Sequence, residues 1–151
     1  MIDRVMPRGI RNNNPGNIRL TSTRWLGQKE AQFDNAFVEF SDPVYGLRAL
    51  MKVLLTYYRK YGLDTVQSVI NRWAPPSENA TDHYAAHVAH RLKVKRTEQI
   101  RIDDCTVLKS LARAIVIHEN GWPPKHIPKG WYAEKIYSKA ADLALKQRSF
   151  A

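Results

Sequence analysis

Prolines and glycines divide this chain into five stretches of helical period, and that punctuation limits the fold more than any other feature. Asp42-Pro43 is a good helix start, and Leu47, Leu50, Met51, Leu54 and Tyr58 follow at spacings of three and four until Gly62. Asp64 or Thr65 can cap a second helix with the stripe Val66, Val69, Ile70 and Trp73, stopped by Pro75-Pro76. A third begins near Asn79 to Asp82 and buries Tyr84, Val88 and Leu92. The fourth follows Asp103-Asp104, carries Val107, Leu108, Leu111, Ala112 and Ile115 inward, and ends at Gly121 before Pro123-Pro124. The fifth runs from about Trp131 to Gln147, with Ile136, Ala140, Leu143 and Ala144 inward. Residues 1 to about 42 are turn-rich, with FDNAFVEF (33–40) the best candidate for an extended piece. The expectation is one mainly α (α+β) domain over residues 1–151, of about five helices with a loop-rich, weakly β N-terminal section.

Composition narrows the function without choosing it. Cys105 is the single cysteine, so neither an intrachain disulfide nor a cysteine zinc site can form. His83 and His87 share a helix face, but no third ligand accompanies them, and no Walker, GxSxG or GxGxxG pattern occurs. No metal and no cofactor are expected. The first residues, MIDRVMPRGIR, lack the apolar run of a secretory signal, and no apolar stretch approaches a membrane span. Lys and Arg number 24 against 14 Asp and Glu, a formal charge of +10 that favours an anionic partner. Short helices over 64 to 92 leave helix-turn-helix DNA binding open, but their connection, APPSENAT, is proline-rich and acidic where that motif favours a short glycine-type turn.

Two carboxylates stand out. In LARAIVIHENGW, counting back from Glu119 by four, seven and eleven reaches Ile115, Ala112 and Leu108, so the carboxylate continues the apolar stripe. A carboxyl beside apolar surface and at a helix C-terminus tends to keep its proton, which suits general acid work. The ordinary alternative is a last-turn carboxylate facing solvent or paired with an arginine. Glu78 lies in WAPPSENATDHYAAHV between a proline stop and the next helix, where it is either a surface charge beside capping residues or the second carboxylate of a glycosidase pair.

The blocks RGIRNNNPGNIR, SDPVYGLRAL, RWAPPSENATDHY and HENG resemble small phage-encoded and prophage-encoded virion structural or lytic proteins, from about Arg8 to Gly121. Each also resembles a piece of the lysozyme-like superfamily, above all the glucosaminidases and lytic transglycosylases that cut peptidoglycan. There a helix ends in a pattern like A-x-x-x-ES-G with the catalytic Glu, and IVIHENG is similar, with Glu119 in that place. In those enzymes a loop like NN-x-x-G-I, an aromatic strand, a helix and a YATD-x-x-Y segment follow the Glu. Here NNNPGNI, FVEF, YGLRALMKVLLTYY and ATDHYAAHV precede it in the same order, as a circular permutation would give.

The resemblance implies a lysozyme-like fold and cleavage of the β-1,4 bond between N-acetylmuramic acid and N-acetylglucosamine. It implies Glu119 as acid, Glu78 as second carboxylate if one is used, and Asn13, Asn14, Asn17, Thr81 and Tyr84 against the sugars. The implied partner is bacterial peptidoglycan, met by a monomer made in the host cytoplasm and delivered to the periplasmic wall by export, lysis or a virion. A virion structural or wall-binding module without turnover is the alternative, and a DNA-binding protein a more distant one.

Overall fold

The computed structural model describes residues 6–75, 80–147 and 150–151, and among them the chain is mainly helical. Six helices follow in order: α1 (Arg8–Arg11), α2 (Pro43–Tyr61), α3 (Val66–Trp73), α4 (Thr81–Leu92), α5 (Cys105–Asn120) and α6 (Glu134–Lys146). The capping chemistry read from the sequence sets most of these ends. Asp42 accepts from the Val44 N–H and Gly62 closes α2 in the left-handed region. Thr65 and Ser68 form a reciprocal capping box on α3, and Asp104 accepts from the Val107 N–H of α5.

The differences have local causes. The short α1 lies within the section expected to be irregular, and four residues carry too little periodicity to announce a helix. Helix α6 starts at Glu134, a turn later than expected, because Trp131 sits at φ 74° and Ala133 is extended. Ala80 precedes α4 without a side-chain cap. The FDNAFVEF stretch makes isolated antiparallel bridges, Arg19 with Phe37 and Gln28 with Phe40, so the N-terminal section is β-like and no more.

Helix α2 runs through the middle. One face joins α3 to α6 in the main core, with Leu47, Leu50, Met51 and Leu54 fully buried against Leu108, Leu111, Ile115, Tyr137 and Ala140. Its other side, through Ala49, carries a smaller apolar cluster of Ile18, Trp25, Val38 and Phe40 that anchors the N-terminal section. Burying each such aliphatic side chain contributes roughly 1.5–3 kcal/mol. Arg48 and Lys52 are also buried on α2, and the guanidinium donates to Gln147 Oε1 and the Ala151 carbonyl while the ammonium donates to the Gln147 carbonyl. Burial lowers the pKa of both cations, and these acceptor oxygens offset part of their lost hydration.

Asp34 organises the N-terminal section. Its carboxylate accepts from Arg8 Nε at 2.7 Å and Nη2 at 2.6 Å, from Asn12 Nδ2, and from the Ala36 and Phe37 N–H groups. The Arg8 pair, then the Ala36 N–H, hold this carboxyl far below its ordinary value of 3.8. A carboxyl depressed in the folded state contributes stability that is complete above the unfolded pKa and is lost as pH falls towards the folded one. Asp34→Asn should therefore lower the melting temperature most above about pH 4 and converge on the wild type in stronger acid. A deficit independent of pH, followed by calorimetry, would show that shape and not charge is what Asp34 supplies.

Candidate active site

The last turn of α5 brings Glu119 to a cleft of about 360 Å³ lined by Gly16, Asn17, Ile18, Arg19, Phe37, Tyr57, Trp73 and Ala74. Helix α5 stops one residue later, where Gly121 adopts φ 77° and ψ −175°, a region open almost only to glycine. The indole of Trp131 donates to the Gly121 carbonyl at 2.9 Å and closes that end.

Two neutral donors orient the Glu119 carboxyl. Tyr84 Oη donates to Oε2 at 2.9 Å, and Asn17 Nδ2 donates to Oε1 at 3.2 Å. Tyr84 is buried on α4, and burial, with the neighbouring charge of Glu119, raises its pKa well above that of a free phenol. It remains a hydroxyl donor throughout the physiological range. Its ring stacks on His118, centroids 3.6 Å apart at 19°, and His118 Nδ1 in turn lies 3.1 Å from His87 Nδ1. Burial lowers the pKa of both imidazoles, and the proximity of His87 adds to this at His118, so the pair favours neutral rings.

The asparagine loop is held against α5 by Asn120, whose Nδ2 donates to the Pro15 carbonyl at 2.7 Å. Asn17 sits at φ 51°, left-handed backbone that asparagine tolerates. Its Oδ1 is buried without a hydrogen-bond partner and is turned towards Gly9, where an added Cβ would lie 2.8 Å away. The amide nitrogen is therefore the end that meets Glu119.

The remaining residues singled out from the sequence have different places. Asn14 is fully buried, donating to the Ile18 and Val38 carbonyls and accepting from the Ile18 N–H, so its amide is consumed in tying the loop to the 36–38 segment. Asn13 donates to the Phe40 carbonyl at 3.0 Å. Buried Thr81 donates to the carbonyl of Ala74, a residue of the cleft wall. Glu78 lies outside the described residues. Among the described residues lining the cleft, Glu119 is the one carboxylate and Arg19 the one cation. The cleft also includes Phe37, Tyr57, Trp73 and Arg19, to which the sequence assigns no site role: Trp73 reads there as part of a helix's apolar stripe and Phe37 as part of an extended piece. No cluster of three metal-ligating side chains occurs among the described residues, and no helix there is long and apolar enough to cross a membrane.

No known protein-family profile matches the chain. It is similar to protein P5 of Pseudoalteromonas phage PM2, at 39% identity over 120 residues that span 78% of this chain and 73% of the phage protein.

Proposed function

The chain belongs to the same bacteriophage family as protein P5 of phage PM2, and we propose that it is a peptidoglycan glycosidase in which Glu119 is the general acid. The observation that carries this reading is the carboxyl itself: it ends a buried helix, opens on a cleft walled by aromatic side chains, and is oriented by Tyr84 and Asn17. A glycosidic oxygen leaves readily only when it is protonated as the bond breaks, and a carboxyl fixed beside the bond provides that proton. Aromatic walls suit the apolar faces of sugar rings, here N-acetylmuramic acid and N-acetylglucosamine. What further supports this reading is that the asparagine loop, although earlier in sequence, lies against the acid helix through the Asn120–Pro15 and Asn17–Glu119 hydrogen bonds, as a permuted lysozyme-like domain would require. Glu78 is the proposed second carboxylate; without it the substrate's own groups complete the reaction, as in lytic transglycosylases.

The test is mass spectrometry of soluble fragments released from purified peptidoglycan. Disaccharide-peptides are expected, and their masses separate hydrolysis from formation of a 1,6-anhydro sugar. A folded protein that sediments with the wall and releases nothing would replace the glycosidase by a wall-binding module. Tyr84→Phe keeps the ring on His118 and deletes the hydroxyl that holds Glu119 Oε2. It should lower kcat about tenfold with KM nearly unchanged, the pattern of a group that positions the acid without binding sugar. A rise in KM at constant kcat would instead make Tyr84 a sugar contact.

A further inference from the structure

Arg19 is an exposed charged side chain on the cleft wall with no hydrogen-bond or ion-pair partner among the described residues. Its backbone pairs with Phe37 across an antiparallel bridge, and its guanidinium lies 5.2 Å from the centre of the Phe37 ring. Arg8 lies near the same ring at 4.7 Å, but Asp34 neutralises Arg8 through two hydrogen bonds. Arg19 has no such carboxylate. None of its five N–H donors meets an acceptor among the described residues, although it is one of the groups lining the cleft with Glu119. Stacking on an aromatic ring removes much of the rotamer freedom an arginine would otherwise lose on binding, and a planar fork of donors matches a carboxylate in two-point geometry.

We propose that Arg19 is a specificity-determining residue that pairs with a carboxylate carried on the lactyl branch of muramic acid, so that the cleft selects peptidoglycan over uncharged chitin-type glycans. This rests on the peptidoglycan reading of the Glu119 cleft. The carboxylate has two sources of one chemistry: the lactyl group's own, where no peptide is attached, or those of the peptide amide-linked to it. A sugar whose glycosidic oxygen is positioned for protonation by Glu119 while its acidic branch meets Arg19 is held at two points. A neutral ring of the same size is held by its faces alone.

The experiment is a binding cycle in the Glu119→Gln protein, so that turnover is not needed to read it. Affinity is measured by sedimentation with native sacculi and with sacculi whose carboxyls have been capped as neutral amides, for Arg19 and for Arg19→Gln. Capping should weaken the parent about tenfold, as loss of a charge-assisted pair does, and should leave Arg19→Gln unchanged. Lys139→Gln, which removes the same formal charge from an exposed position on α6, should keep the full response to capping and so separates a pair from general attraction. Glycan strands stripped of peptide then assign the source: persistence of the cycle on them identifies the lactyl carboxylate, and its disappearance identifies the peptide. If capping weakens Arg19→Gln as much as its parent, or if neither protein binds sacculi, the proposal falls. Fragment release by the wild type is scored separately, so an intact cycle without release removes the glycosidase and keeps the carboxylate subsite.

Discussion

Glu119→Gln is expected to fold as the wild type does, to sediment still with peptidoglycan, and to release soluble fragments at a rate lower by roughly 10²–10⁴, the range that a positioned general acid supplies. Glutamine has the same shape, and its single carbonyl oxygen can accept from either Tyr84 Oη or Asn17 Nδ2, but not both in the observed pose. One of the two donors then faces an amide nitrogen, which costs about 1 kcal/mol and lowers the melting temperature by only a few degrees. The separation between a small loss of stability and a large loss of turnover is what makes the variant informative. Fragment release at the wild-type rate would place the acid elsewhere, with Glu78 the next residue to change. A collapse of folding alongside activity would show that the carboxyl is chiefly a structural acceptor between α4 and the asparagine loop.

Much of the helical frame was legible because it is local. Asp42, Thr65 and Asp104 sit where helices start and bond their own first turns, and the three-and-four spacing of Leu108, Leu111, Ala112 and Ile115 needs no knowledge of what they pack against. The same periodicity put Glu119 on the inward stripe, and the structure places it half-buried at the cleft. The asparagine run was legible as a loop but not in its division of labour. Asn14 is closed into the 36–38 segment, Asn13 bonds to Phe40, and Asn17 alone reaches a carboxylate 102 residues away. Three similar side chains differ there only by the direction their backbone gives them, and that direction depends on a helix made from the far end of the chain. Arg19 shows the same limit. The sequence says that it is basic, whereas its interest lies in the absence of an acidic partner among the described residues, which is a property of the assembled surface.

A larger structural effect is expected at Gly46, in the interior of α2. An exposed helical glycine replaced by alanine gains about 1 kcal/mol of stability, so an ordinary position would be improved by the change. Here a Cβ would lie 1.8 Å from the Asn13 carbonyl oxygen, 2.9 Å from its carbon and 3.1 Å from the Asn14 Cα. These are backbone atoms and cannot turn aside as a side chain would. Asn13 is already at φ 52°, and its N–H donates to the Ile10 carbonyl while Asn14 N–H donates to Gly9, so the loop must move as a unit or not at all. Gly46→Ala should therefore lose about 1–3 kcal/mol or more, a fall in melting temperature on the order of 5–10 °C, with the sign opposite to helix propensity. It should also lose activity beyond what stability explains, because retreat of the loop by even 1 Å draws Asn17 away from Glu119, and such a misplacement can cost about a hundredfold in rate. Gly62→Ala is the matched comparison. Gly62 sits at φ 65° with nothing within 4 Å of an added Cβ, so alanine there strains the end of α2 and lowers stability while leaving the cleft untouched. If Gly46→Ala melts at or above the wild-type temperature, or if it loses no more activity than Gly62→Ala at equal stability, then the docking of the asparagine loop on α2 is not what sets the geometry at Glu119.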